Sequence, residues 1–323
     1  MWGESEVRKA MIPGCYSDLS NEAYHGGPGV SKSGLDLVQR SPAHYFAATA
    51  ARDAGVERKT TAAFIFGTAF HALILEPELF AETYALPFVP PEGALRTVDE
   101  ISLRLNALGL KTSGTKQAVT DRLREAAPET VFYQDAVDAY QRENEGKVIL
   151  SAEDFARLEA MRAAVMNHKA ASWLINSPGV AEKSVYWIDE ETGVLCRCRP
   201  DFWRDDDVLV DVKTTDDASL EGFVRSVVKY RYHVQSPFYT DGVKKATGRV
   251  PKGFVFLAIE KEPPYAVGVY VLDEDFVAIG RDEYRANLAT FKACQETGIW
   301  SGYGENVQTM TPPPWLIARR MAA

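Results

Sequence analysis

The feature that most constrains the fold of this chain is a change of sequence periodicity near Ser184. From this point the runs SVYWIDE, VLCRCRPDFWR and VLVDVKT either alternate between apolar and polar residues or are rich in β-branched residues, as strands are. The first two runs meet at ETG, a hairpin-like turn. Two further strand-like runs follow, FVFLAIE and AVGVYVL, separated by the turn KEPPY.

Helical patterns surround these strands. The stretch from Thr60 to Leu75 is nearly all apolar or small and predicts a buried helix. Pro77 either ends this helix or begins the next one. Further helices are predicted to begin near Ser151, Ser219, Tyr232 and Asp273. Strands flanked by helices predict an α/β fold with a central mixed β-sheet between helices.

The composition fits a globular enzyme. The chain has 323 residues, 46% of them hydrophobic and 25% charged. No run approaches the roughly 18 consecutive apolar residues of a membrane helix, and the N-terminus lacks the apolar stretch of a signal peptide. We therefore expect a cytoplasmic protein that makes no membrane contact. The alternating Cys196 and Cys198 are expected to be buried, reduced thiols.

The net charge of -9 argues against a surface that coats nucleic acid indiscriminately. It does not exclude a nuclease, because a nuclease needs carboxylates for its metal and only a local basic groove for the DNA.

Three residues form the strongest candidate for a catalytic site. Asp211 and Lys213 lie two positions apart on one predicted strand, so their side chains face the same side. Asp201 closes the preceding predicted strand, and pairing of the two strands brings it near Asp211. Two close carboxylates repel unless a cation lies between them, and hard oxygen ligands favour Mg²⁺, with Mn²⁺ able to substitute. The main-chain carbonyl of Val212 is a further candidate ligand.

Such a metal polarises a phosphoryl oxygen, activates water and stabilises the leaving 3′ oxygen. Lys213 then holds or deprotonates the attacking water and neutralises charge on the phosphate. Taken alone, the D-x-K motif is common, and a surface strand with a salt bridge explains it equally well.

The wider context makes this motif more specific. The pattern RPD(x9)DVK followed by QSPFY resembles the PD-(D/E)XK nuclease superfamily. The chain as a whole resembles the RecE (exonuclease VIII) catalytic domain, which is related to RecB-type and phage lambda exonucleases. The segments that carry this resemblance, in the family's order, are YHGGPGVSKSGLD, FGTAFHALILEP, SVYWIDEETGVLCRCRPDFW, DVKTTDDAS and YRYHVQSPFY. They span most of residues 16 to 275.

The resemblance implies roles for matching residues. It makes His71, Asp201 and Asp211 metal ligands and Lys213 the catalytic lysine. Two residues of the following helix, Gln235 and Tyr239, would position DNA and support the site. A single histidine in an apolar helix is otherwise more often a core residue bonded to a carbonyl. Two further carboxylates, Glu182 and Glu76, are each as easily surface acids as ligands.

The resemblance also implies a function. It predicts a Mg²⁺-dependent exodeoxyribonuclease that digests linear double-stranded DNA from 5′ to 3′ and leaves 3′ single-stranded tails for phage-type homologous recombination. It further implies a homo-oligomeric ring and a RecT-like single-strand annealing partner. Two alternatives stay open: a structure-specific or single-strand endonuclease with the same fold, and a catalytically idle DNA-binding protein.

Near the N-terminus, Ser31, Lys32 and Ser33 offer hydroxyl and ammonium donors. Ser33 is expected to cap a helix, an arrangement that suits capture of a 5′ phosphate or of the DNA backbone. A plain helix cap is the competing explanation for Ser33.

A segment of different character follows the proline-rich connector LPFVPPEG. Its sequence, LRLNALGLKTSGTKQAVTDRLREA, resembles a SAP motif, a small helical DNA-binding unit, and it is locally basic. The residues expected to approach DNA are Gly114, Lys116 and Arg122, and an ordinary surface helical hairpin is the alternative. Its expected core consists of Leu103, Leu105, Leu108, Leu110, Val119 and Leu123.

The resulting domain scheme has three parts. Residues 1–94 form the N-terminal part of the nuclease domain and include the helix of His71. Residues 95–129 form the small helical insertion. Residues 130–323 form the nuclease core with the catalytic strands and the C-terminal helix.

Overall fold

The computed structural model describes residues 11–56, 60–314 and 317. The chain divides into two compact units by its internal contacts. One unit combines Met1–Thr60 with Val165–Ala323, and the other is Thr61–Ala164.

Thirteen helices and ten strands are found among the described residues. The helices are α1 (Asn21–Gly26), α2 (Lys32–Arg40), α3 (Pro42–Asp53), α4 (Ala62–Leu75), α5 (Pro77–Thr83), α6 (Val98–Ala107), α7 (Lys116–Ala126), α8 (Tyr133–Glu143), α9 (Ala152–Asn167), α10 (Lys169–Ile175), α11 (Leu220–Lys229), α12 (Tyr232–Thr247) and α13 (Glu274–Thr297). The strands are β1 (Gly14–Tyr16), β2 (Tyr84–Ala85), β3 (Val148–Ile149), β4 (Gly179–Ala181), β5 (Ser184–Ile188), β6 (Leu195–Cys198), β7 (Phe202–Arg204), β8 (Val208–Thr215), β9 (Gly253–Glu260) and β10 (Val267–Val271).

The first unit contains a five-stranded mixed sheet with strand order β10-β9-β8-β7-β4. Its central pair, β8 and β9, is parallel, whereas the flanking pairs are antiparallel. A parallel pair needs a long crossover, which α11 and α12 supply. A second sheet of three strands has the order β1-β5-β6. The predicted α/β fold with a mixed sheet and flanking helices is confirmed.

The prediction of a single strand for the run VLCRCRPDFWR is wrong. The run forms two strands, β6 and β7, which belong to different sheets. The break falls at Pro200, which has no N–H for a ladder. The neighbouring Arg199 turns its guanidinium toward the Ser184 hydroxyl, at 2.8 Å, and the Leu19 carbonyl, at 2.7 Å. Asp201 therefore does not close a strand but precedes β7.

The core of this unit lies against both sheets and under α2, α12 and α13. Its fully buried members include Leu35, Val185, Cys196, Cys198, Leu209, Val234, Phe238 and Phe256. Cys196 and Cys198 are buried and free, as expected from their alternation.

In the second unit, α6 and α7 pack around a small core of their own. It consists of Ile101, Leu105, Val119, Leu123, Ala127 and Phe132, with Leu95 and Leu110 at its edge. Two expected members are wrong: Leu103 is 73% exposed and Leu108 is 43% exposed. Leu103 lies between Ile101 and Leu105 in sequence, so it points to the opposite face of α6, and Leu108 follows the last turn of that helix.

The ends of this helical pair meet. The N–H of Leu95 donates to the carbonyl of Val131 at 2.9 Å, and the N–H of Tyr133 donates to the carbonyl of Leu95 at 2.9 Å. The boundaries 1–94, 95–129 and 130–323 stay a prediction.

Among the described residues, no helix combines the length and apolar character needed to cross a bilayer.

Candidate active site

The candidate site lies on β8, the central strand of the mixed sheet. Asp211 has no solvent exposure. The ammonium Nζ of Lys213 lies 2.5 Å from Asp211 Oδ2. The two side chains therefore share one face of the strand, as their spacing predicts.

Asp201 reaches the same place from the turn before β7. Its Oδ2 accepts a hydrogen bond of 2.7 Å from the main-chain N–H of Val212. In an extended strand, the N–H and C=O of one residue point to the same side. The carbonyl of Val212 is consequently directed toward Asp201 as well, which brings the predicted main-chain ligand to the aspartate.

Glu182 adds a carboxylate to the site. The sequence left open whether this residue is a ligand or a surface acid. Its N–H donates to the carbonyl of Asp201 at 3.0 Å, and its backbone is left-handed with φ of 49°. A carboxylate oxygen of Glu182 lies within 4.8 Å of one from Asp201. Sequence spacing gave no signal for this contact because the two residues lie on different sides of β5 and β6.

These residues form an all-oxygen donor set. Two carboxylates so close together, with a main-chain carbonyl aimed at one of them, favour a hard divalent cation such as Mg²⁺ or Mn²⁺.

Helix α12 places Gln235 and Tyr239 beside the strand. The Gln235 amide Nε2 donates to Asp211 Oδ1. Tyr239 packs its ring against Phe254 at a centroid distance of 5.8 Å. Burial raises the pKa of Tyr239 well above its usual value, and the nearby carboxylates of Asp211 and Asp201 raise this pKa further. Tyr239 is therefore a neutral phenol at physiological pH.

Burial and neighbouring charges have opposite effects on the pKa of Lys213. Burial alone would lower its pKa, but the charges of Asp211 and Asp201 outweigh burial and raise the pKa above that of an ordinary lysine. Lys213 is therefore a charged ammonium beside these carboxylates.

Tyr232 is a site residue that the sequence reasoning missed. The Lys213 ammonium lies 4.9 Å from the centroid of its ring, and the Lys32 ammonium lies 5.8 Å from the same centroid. Its position on the same predicted helix as Gln235 was the sequence feature that could have identified it.

Lys32 is tied to this region by two contacts. Its ammonium donates to the carbonyl of Tyr230 at 2.7 Å and lies 2.8 Å from Asp36 Oδ2. Burial lowers the pKa of Lys32, and the carboxylate of Asp36 opposes that shift.

The expected helix cap at Ser33 is wrong, because α2 begins at Lys32 and Ser33 already lies within its first turn. Ser31 is the N-cap, and its Oγ accepts from the N–H of Gly34 at 3.3 Å. The hydroxyls of Ser31 and Ser33 lie 3.0 Å apart, so both remain near the start of α2.

The remaining sequence candidates belong to the second unit. His71 is partly buried on α4, and Glu76 ends that helix. In the insertion, Gly114 has a positive φ of 142°, and Lys116 is the exposed first residue of α7. Arg122 donates to the carbonyl of Lys111 at 2.6 Å, so its guanidinium closes the loop between α6 and α7.

Comparison with known families identifies the fold. A model described as a PDDEXK-like domain of unknown function (DUF3799) matches residues 31–313. The chain belongs to this family. It is thus a member of the PD-(D/E)XK nuclease superfamily, and the matched region includes Asp201, Asp211 and Lys213.

One solved structure supports the same fold. The crystal structure of a proposed exonuclease from Eubacterium rectale has a TM-score of 0.51 at 12% identity, with 93% of this chain and 96% of that chain covered. A second match, to SSO0001, has a TM-score of 0.25 at 11% identity over 70% of this chain and 86% of the other, too weak to carry an argument. None of the curated proteins matches significantly.

Proposed function

We propose that this PDDEXK-family protein is a Mg²⁺-dependent exodeoxyribonuclease acting from 5′ to 3′ on linear double-stranded DNA. The observation that carries the proposal is the convergence of Asp201, Val212, Asp211 and Lys213 at one point of the mixed sheet. Oxygen donors for a divalent cation beside a charged ammonium suit metal-assisted phosphodiester hydrolysis, which supports the proposal.

The residues that would hold the metal are Asp201, Asp211 and the carbonyl of Val212, and Glu182 is close enough to Asp201 to contribute. His71 is a further proposed ligand, supported by the resemblance to RecE-type nucleases. When bound, the metal supplies Lewis-acid polarisation of the phosphoryl oxygen and a water of lowered pKa.

The side chains of the chain have separate tasks. Lys213 donates from its ammonium to the attacked phosphate and to the oxygen of the attacking water, which it holds in place; as a charged ammonium it does not take up the proton of that water. Gln235 fixes the orientation of Asp211 through its amide hydrogen bond. Tyr239 packs behind the carboxylates as a neutral phenol, which keeps α12 against β9 without adding charge.

The finer parts of the proposal rest on the resemblance to RecE. They are the 3′ single-stranded tails, a role in phage-type homologous recombination, a homo-oligomeric ring and a RecT-like annealing partner. The cytoplasmic location expected from the sequence stays a prediction. Sedimentation of the purified protein with and without duplex ends tests the ring, and a monomer under both conditions rejects it.

We also propose that Ser31, Lys32 and Ser33 help to bind the 5′ phosphate. Lys32 lies near Lys213, which would give a terminal phosphate a second ammonium close to the site. If Lys32→Ala leaves both DNA affinity and the preference for a 5′ phosphate unchanged, this role is wrong.

One assay tests the central claim. Linear duplex carrying either a 5′ phosphate or a 5′ hydroxyl, with label at one end, is incubated with protein and Mg²⁺, beside circular duplex of the same sequence. We expect release of nucleotides from the 5′ ends, intact circles, and loss of at least about a thousandfold of activity in Lys213→Ala. Lys244→Ala is the matched control, because Lys244 is an exposed lysine on α12.

The outcomes separate the alternatives. Cleavage of circles or of single strands without dependence on ends supports an endonuclease. Binding without any metal-dependent cleavage supports an idle DNA-binding protein. Equal activity of Lys213→Ala and Lys244→Ala contradicts the assignment of the site.

A further inference from the structure

A groove of about 300 Å³ includes Lys213 in its lining, but neither Asp201 nor Asp211. Its lining residues are Lys213, Thr214, Thr215, Asp216, Asp217, Gly222, Phe223, Arg225, Ser226, Lys229, Tyr230, Tyr232 and Lys261. They come from the end of β8, from α11 and from the start of α12. The volume lies at the lower end of the range for small-molecule pockets, so the groove suits a unit of nucleotide size rather than a duplex.

Cations outnumber acids in this lining. Arg225 pairs with Asp217 at 3.0 Å, and Lys261 pairs with Asp216 at 2.6 Å. Lys229 is exposed and forms no salt bridge with any residue that the structure describes. Because Lys213 is itself paired with Asp211, the groove retains the positive charge of Lys229 after these pairings, although the whole chain has a net charge of -9. Such a local excess attracts phosphate.

The groove also contains an aromatic stack whose outer ring is half exposed. The rings of Tyr232 and Phe256 are 5.8 Å apart at an interplanar angle of 29°, and Tyr230 stacks on Tyr232 at 5.6 Å and 28°. Phe256 is fully buried on β9, whereas Tyr230 is 50% exposed at the outer end. The Lys229 ammonium lies 5.0 Å from the centroid of the Tyr230 ring.

We propose that this groove binds unpaired DNA next to the scissile phosphate, with a base stacked on Tyr230 and a phosphate held by Lys229. The choice of DNA as ligand rests on the proposed nuclease function. An aromatic face can stack on a base only where the base is not paired within a duplex, and a neighbouring cation then binds the backbone. The ring stack fixes the position of Tyr230, so little ordering is needed when the base binds.

The location next to Lys213 gives the groove a role in cleavage. A strand whose base is stacked on Tyr230 is separated from its complement at the site. A base that leaves the duplex loses its pairing and its stacking on neighbouring bases. Stacking on Tyr230 compensates for part of this loss.

Binding of a short single strand containing 2-aminopurine tests the stacking directly, since stacking quenches the fluorescence of this base. The full chain is titrated in EDTA, so that no cleavage occurs. Alanine substitution of a stacking aromatic costs about 1–3 kcal/mol per base, and we therefore expect Tyr230→Ala to weaken binding about 5- to 150-fold and to restore fluorescence. Tyr230→Phe keeps the ring and should bind within about twofold of the unaltered protein. Unaltered binding and quenching in Tyr230→Ala overturn the proposal.

The phosphate contact is tested by salt dependence. Lys229→Ala should lower the slope of log K against log [salt] by about 0.7, the value for one phosphate contact on a single strand. Lys244→Ala, which removes an exposed lysine outside the groove, should leave the slope unchanged. Equal slopes for both variants contradict the role of Lys229.

Competition distinguishes a strand from a released product. A deoxynucleoside 5′-monophosphate should displace the oligonucleotide only at a concentration at least about a hundredfold higher, because it offers one base and one phosphate. Equal potency of the two ligands overturns strand binding and makes the groove a product site.

The two proposals fail in different ways. Loss of quenching in Tyr230→Ala under EDTA supports the groove even if no cleavage is found with Mg²⁺, in which case only the nuclease function is rejected. Normal cleavage together with identical binding by Tyr230→Ala rejects the groove alone.

Discussion

Asp211 shows what single residues contribute to the site. With no solvent exposure, its carboxylate depends on the protein or on a cation for every compensating contact, and Lys213 and Gln235 provide two of these. The spacing of Asp211 and Lys213 predicts their shared face because strand geometry has a period of two. The hydrogen bond between Gln235 and Asp211 joins residues 24 positions apart and follows only from the packing of α12 on the sheet. The spacing of residues in the sequence therefore did not predict it.

Replacement of Gln235 with leucine tests this support at nearly constant volume. Loss of such a partner commonly lowers metal affinity or activity about 10- to 100-fold, and we expect a decrease of that size in Mn²⁺ affinity measured by calorimetry. Gln134→Leu is the control, because Gln134 donates to Asp138 at 2.8 Å in a similar but exposed amide–carboxylate pair. Equal Mn²⁺ affinity of the two variants contradicts the supporting role of Gln235.

At the scale of elements, the position of α12 depends on close approach to α13. The periodicity predicted both helices, but not the place where they touch. A Cβ on Gly280 of α13 would overlap the main-chain carbonyl oxygen of His233 on α12. The break between β6 and β7 was missed for a similar reason, because the alternation of side chains continues through Pro200 while the sheet changes.

Gly280→Ala should therefore destabilise the protein by about 1–3 kcal/mol, since neither main chain can yield without moving α12 and its Gln235. Gly67→Ala is the matched control within α4, because a Cβ at Gly67 would meet no atom within 4 Å. That change should stabilise the helix by about 0.5–1 kcal/mol. Urea denaturation measures both effects, and a Gly280→Ala protein as stable as the original contradicts the close packing.

For the molecule as a whole, the distribution of charge matters more than its sum. A chain of net charge -9 needs local basic surfaces to hold duplex DNA, and the sequence assigned one of these to the insertion. In the structure, the cations of the insertion fall into two groups, those bonded within the fold and those exposed to solvent. Arg122 is bonded to the carbonyl of Lys111, and Arg124 pairs with Asp135 at 2.6 Å, whereas Lys111 and Lys116 are exposed. Composition alone did not separate cations that hold the fold from those that face solvent.

This division yields a prediction for duplex binding. The double variant Lys111→Ala with Lys116→Ala should lower the slope of log K against log [salt] by about 2, at about 0.9 per phosphate contact on duplex DNA. Thermal stability should stay the same, because both side chains are exposed. Arg122→Ala should instead lower stability through loss of its loop contact.

A variant in which a short Gly-Ser linker replaces residues 95–132 extends the test, because the main-chain bonds between Leu95 and Val131 bring the two ends together. It should keep metal-dependent cleavage of short duplexes and lose affinity for long ones, since the insertion has its own core. Duplex affinity that is unchanged in this variant across salt concentrations would remove the insertion from the DNA-binding surface. The duplex would then have to be held by basic residues elsewhere on the chain.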